Sequence, residues 1–182
     1  MQLSRRRLCG VLVGSVSVAL AGCTSGAGGN DGDGAGTTTP VGECPSLRAA
    51  DSTVCAAKAG ADTPVVLRPS TTTLTAPGTL RFTLSNGGES TLGMNPYDWA
   101  VHRETADGWE RVAPDATVEP WRELPPGASQ AWALQVGASH SSPENETVVC
   151  GPLTLEAGTY AFSVVARADG TWTAYVARFR VA

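Results

Sequence analysis

From residue 64 onward the apolar positions recur at every second residue. Leu80, Phe82 and Leu84 alternate with Arg81, Thr83 and Ser85. Trp132, Leu134 and Val136 show the same period, and Tyr175, Ala177, Phe179 and Val181 are set against Val176, Arg178 and Arg180. A period of two sends successive side chains to opposite faces of a strand, so each segment predicts a strand with one buried face. Tyr160, Phe162 and Val164 after Gly158 form another. Residues 65–68 predict a first strand, which 72–75 continue past a bend at Pro69, and residues 99–104 a strand with Trp99 and Val101 on one face. Turn signals separate them: Pro77-Gly78, Asn86-Gly87-Gly88, Asp107-Gly108, Pro125-Pro126-Gly127 and Asp169-Gly170, the two Asp-Gly pairs reading as tight hairpins. No stretch holds a helical period. Roughly seven short strands and no helix predict an all-β, antiparallel sandwich over 64–182. Its core would include Phe82, Trp99, Leu134, Phe162 and Phe179.

The first 63 residues carry a different pattern. Arg5, Arg6 and Arg7 precede an uncharged apolar run that ends at Leu20 and contains Gly10, Gly14, Ser15 and Ser17. A basic start, a short apolar stretch and small residues before a cleavage point predict a signal peptide over 1–22, too short to span a bilayer stably. The Ser-Arg-Arg start resembles a twin-arginine export signal, with Sec export the alternative because Cys9 and Gly10 depart from the end of that motif. Leu20-Ala21-Gly22-Cys23 resembles a lipobox, which implies that Cys23 carries a lipid and attaches the chain to the membrane. Residues 23–40 follow as a tether: 6 of the 17 residues from 24 to 40 are Gly and none is a large apolar residue, so no core forms there. As a flexible coil this segment reaches roughly 20–25 Å.

Cysteine usage extends this picture. Beyond Cys9 and Cys23 the chain has Cys44, Cys55 and Cys150. Disulfides persist outside the cytoplasm. Cys44 and Cys55 enclose a segment without strand or helix pattern within an N-terminal extension, residues 41–63. A Cys44–Cys55 bridge would order it, contributing on the order of 2–3 kcal/mol. Cys150 would then be a buried free thiol, its pairing with Cys44 or Cys55 being the rival arrangement.

The chain has 182 residues, 42% of them hydrophobic and 16% charged, which is enough for one domain with a core. Its formal net charge is −4, and removing residues 1–22 takes away three Arg and no acid, leaving −7. That balance argues against a nucleic-acid partner. An acidic chain whose one Lys is Lys58 resembles exported lipoproteins of haloarchaea, with a GC-rich actinobacterium the competing source. Residues 64–182 resemble the immunoglobulin-like domains of bacterial and archaeal surface lipoproteins. The resemblance rests on Pro77-Gly78 before a strand ending at Asn86, Gly108-Trp109 on a hairpin, Pro126-Gly127 before Trp132, and Leu155, Gly158, Tyr160 and Phe162 in sequence. Asn95-Pro96-Tyr97-Asp98-Trp99 adds to it. Tyr160 stands where such domains place a tyrosine corner, although Phe162 replaces the Cys that antibody domains carry two residues later. The resemblance implies a surface module and does not imply an activity; the chain is expected to be a monomer.

Chemistry-bearing residues are few. A blue-copper site needs two His, a Cys and an axial Met. Cys150 has no His after it, and Met94 is the one methionine besides Met1. His102 is expected to face solvent or a neighbouring strand, and His140 to lie in a polar loop beside Ser139 and Ser141. No Gly-x-Ser-x-Gly elbow is present. These counts predict a non-catalytic protein without metal or cofactor, and the lipobox resemblance implies that it is anchored on the outer face of the cytoplasmic membrane. An enzyme or redox carrier is the less favoured reading, and an inhibitor-like domain working through loop 137–151 a third. Asn145-Glu146-Thr147 is a glycosylation sequon. Among the five Trp, Trp99 and Trp132 fit the core. Trp121, with Arg122 beside it, and Trp172 are the candidates for a contact surface toward a surface protein or glycan.

Overall fold

The computed structural model describes residues 44–114, 120–138 and 146–182, all within one compact unit. The signal peptide, Cys23, the tether, His140 and Asn145 lie outside the described residues. Eleven strands are described: β1 (Ser52–Cys55), β2 (Val65–Pro69), β3 (Thr73–Leu74), β4 (Gly78–Asn86), β5 (Leu92–Thr105), β6 (Gly108–Ala113), β7 (Arg122–Leu124), β8 (Ser129–Val136), β9 (Val148–Leu153), β10 (Gly158–Ala168) and β11 (Thr171–Val181). They form an all-β sandwich. One sheet runs β1-β11-β10-β5-β6, with β3 beside β11 and β7 beside β5; the other runs β2-β4-β8-β9.

The expected alternation holds where the strands face each other. Leu80, Phe82 and Leu84 of β4 and Trp132, Leu134 and Val136 of β8 point inward, and all six are buried. They meet Trp99 and Val101 of β5, Phe162 of β10 and Phe179 of β11. Phe162 stacks on Phe82 with ring centroids 4.2 Å apart, and Trp99 and Trp132 flank it. Tyr160 forms the anticipated corner: its hydroxyl donates to the Glu156 carbonyl at 2.9 Å, tying the entry of β10 to the residues before it.

Four departures have physical causes. Residues 72–75 do not continue β2. After Pro69 the chain crosses to the opposite sheet, where β3 lies parallel to β11 and the Arg180 amide donates to the Thr72 carbonyl. β5 begins seven residues before Trp99. A bulge sets Met94 opposite Ala166 and Trp99 opposite Val164, so residues 95–98 leave the ladder. The bulge presents the Pro96 carbonyl to the indole N–H of the buried Trp132 at 2.6 Å, satisfying the one polar group of that side chain. In the β5–β6 hairpin Thr105 pairs with Gly108, so the two loop residues are Ala106 and Asp107 rather than Asp107 and Gly108. Finally, residues 148–151, expected in a loop, belong to β9, which runs parallel to β8. The exposed loop of the inhibitor-like reading is shortened accordingly, and its residues 139–145 lie outside the described ones. The other hairpin is as expected: Asp169 and Gly170 form the two-residue loop, with φ of 49° and 85°.

Candidate contact surface on the outer face of the larger sheet

Cys44 and Cys55 are bridged, and Cys150 is a buried free cysteine whose thiol is pushed far up by burial. The segment closed by the bridge is a strap. Leu47 and the bridge pack on Ala161 and Val176 of the outer face. The Arg48 guanidinium binds the Asp98 carboxylate and donates to the Asp98 carbonyl at 3.2 Å. Asp51 is held to Trp172, both through its amide to the Trp172 carbonyl and through its carboxylate, which accepts the Trp172 amide. The chain then returns as β1 along the edge of β11. The face below is built from small residues, Ala100, Ala161, Ser163 and Ala174, all fully buried although no second sheet lies over them. Small side chains let the strap lie close.

His102 is corrected by this strap. It sits on the outward phase of β5, as expected, but is buried, and together with residues 44–47 and Trp109 it lines an open cleft of about 520 Å³. Its Nδ1 is buried without a hydrogen-bond partner. Burial, then the charges of Arg111 and Arg48, hold its pKa down at about 4. The imidazole is therefore neutral in the fold and protonated in the unfolded chain between pH 4 and about 6.5. The unfolded state binds the extra proton, so this stabilisation is complete above pH 6.5 and is lost as pH falls toward 4. The expected loss is about 2–3 kcal/mol. Denaturant melts at pH 7 and pH 4.5 check it: the drop should shrink by that amount in His102→Gln, and an unchanged drop would remove His102 as its source.

At the other end of the face lie the aromatic candidates. The structure brings Trp121 and Trp172 together, ring centroids 6.1 Å apart and planes at 84°. Trp121 precedes β7, which pairs with β5 through Glu123 opposite Gly93. Its ring lies over Gly93, so closely that a Cβ there would fall 2.2 Å from the indole. Gly93 is thus a seat that no other residue provides. Arg122 leaves this group: it sits on the inward phase opposite Met94 and donates to Gln130 at 3.1 Å. Its place is taken by Arg167, whose guanidinium carbon stands 6.0 Å from the Trp172 ring centroid. Arg167 is the register partner of both Trp172 and Gly93, so Glu123, Gly93, Arg167 and Trp172 form one row across four strands. Sequence reasoning missed Arg167, although the Asp169-Gly170 hairpin signal fixes Arg167 opposite Trp172 and could have found it. The indoles remain open, Trp121 at 56% and Trp172 at 38% exposure.

Among the described residues no group of three or more His, Cys, Asp or Glu is placed to hold a metal ion, and no helix is long and apolar enough to cross a membrane. No protein-family model matches the chain, and no curated protein matches it.

Proposed function

We propose that the chain is a lipid-anchored protein of the cell surface, exported by a twin-arginine-type signal and held on the outer face of the cytoplasmic membrane through Cys23. Its monomeric, non-catalytic sandwich holds a surface protein or glycan at the Trp121–Trp172 corner. The observation that carries this reading is the corner itself. Scattered exposed apolar residues are ordinary, but two indoles brought together from 51 positions apart, one seated on a glycine, form a deliberate exposed patch. Aromatic side chains flanked by Arg are the residue types that anchor recognition surfaces. The Cys23 lipobox, the Gly-rich tether and the Cys44–Cys55 bridge, a bond that persists outside the cytoplasm, support the placement.

Two measurements test it. Cys23→Ser should shift the protein from the membrane fraction to the soluble fraction or block its processing; a processed variant that stays membrane-bound after a high-salt wash excludes the lipid anchor. A photoreactive amino acid placed at Trp121 in intact cells should give a discrete, saturable adduct, and one placed at Arg68, exposed on the opposite sheet, should not. Equal labelling from both positions would remove the corner as the contact surface.

A further inference from the structure

We propose that the corner binds an acidic polysaccharide, one pyranose ring lying on Trp121 and its carboxylate or sulfate meeting Arg167; this rests on the reading above that the corner is the contact surface. The shape comes first. One face of the Trp121 indole rests on Gly93, and the residue is still more than half exposed, so its other face is an open floor. Trp172 stands at 84° to it and forms a wall. A pyranose has a flat face of C–H bonds and a rim of hydroxyls. The electron-rich face of an indole attracts such C–H bonds, while the hydroxyl rim stays in water.

The charge comes second. The Arg167 guanidinium carbon stands 6.0 Å from the Trp172 ring centroid, and no ion pair to Arg167 is present among the described residues. A guanidinium without a carboxylate partner offers a planar N–H edge that matches a carboxylate or sulfate in a two-pronged contact. The nearest acid on the hairpin, Asp169, is engaged by the Ser90 hydroxyl at 2.7 Å.

The size of the patch argues for a sugar over the other occupants. A stable protein interface covers roughly 800 Å² per partner, whereas the paired apolar surface here is two rings; of the other exposed large apolar residues, Val112 lies on β6, Val149 on β9 and Tyr97 in the β5 segment that leaves the ladder. A lipid surface is also disfavoured: binding at the acyl boundary scales with the apolar area buried, and two rings supply little of it.

The test uses the full chain in detergent, run by affinity electrophoresis through gels containing polygalacturonate, dextran sulfate or dextran, with flotation on phosphatidylglycerol vesicles alongside. The wild type should be retarded by polygalacturonate, dextran sulfate or both, with quenching of its Trp fluorescence on titration. Trp121→Ala, and Gly93→Ala, which keeps both indoles but unseats one, should each weaken retention about tenfold, the scale of one lost aromatic contact. Arg167→Gln should abolish the preference for the acidic polymers over dextran. Equal retardation of wild type and Trp121→Ala would overturn the proposal as a general polyelectrolyte effect, and binding to vesicles alone would replace it with a lipid. Absence of any retardation, with the cross-link at Trp121 still forming, overturns the sugar and leaves the contact surface; absence of both removes the two readings together.

Discussion

Phe162→Ala is expected to lower the unfolding free energy by about 3–5 kcal/mol, the range for deleting a buried aromatic ring. Phe162 has no solvent exposure and stands where both sheets meet. It stacks on Phe82 of β4 and is flanked by Trp99 of β5 and Trp132 of β8, so four strands from both sheets converge on one ring. These neighbours are large and rigid, and Trp132 is further fixed by its bond to the Pro96 carbonyl, so the space left behind cannot collapse. Urea melts followed by circular dichroism measure the loss. Phe162→Leu should recover most of it. A loss under about 1 kcal/mol for the Ala variant would show that the packing is not centred on this ring.

Asn86→Ala should cost about 2–4 kcal/mol by a different route, since it strands polar groups instead of opening a cavity. Asn86 ends β4 and is buried. Its amide nitrogen donates to the Leu124 carbonyl at 2.9 Å and to the Ser90 carbonyl at 3.0 Å, and its oxygen accepts the Gly88 amide at 3.1 Å. One side chain therefore joins the turn after β4 to the end of β7. Asn86→Asp separates the mechanisms. At neutral pH it sets a carboxylate against two carbonyls, so it should destabilise at least as much as Ala, and its deficit should shrink as acid protonates the group. A deficit that does not respond to pH would show that the carbonyls are satisfied in some other way.

The legible part of the fold is the part whose side chains report on the opposite sheet. Alternation in β4, β8, β10 and β11 identified the inward residues because one face meets apolar neighbours and the other meets water. That inference fails where the outer face is also covered. Phase alone places His102 correctly on the outward side, but its cover comes from the strap at 44–51, which is patternless and some 50 residues away. β9 was hidden because Gly151-Pro152 reads as a break, and because a parallel partner needs no adjacent turn to announce it. The first half of β5 was hidden by Pro96 and by the four residues that leave the ladder. At the corner both Trp were identifiable from polarity and phase. Their meeting, and the exchange of Arg122 for Arg167, depend on β7 pairing with β5, which no local pattern encodes.

The bridge has a mechanical consequence. Any tension on the residues before Cys44 enters the domain at that cysteine and passes directly through sulfur to Cys55, the last residue of β1, leaving residues 45–51 of the strap unloaded. From Cys55 the force meets β1, whose hydrogen bonds with residues 173–176 of β11 act side by side along the strand and end next to Trp172. A pull between the N-terminal side and a partner seated at the corner would thus be borne as shear by one parallel strand pair, while the cover over Ala161 and His102 stays in place.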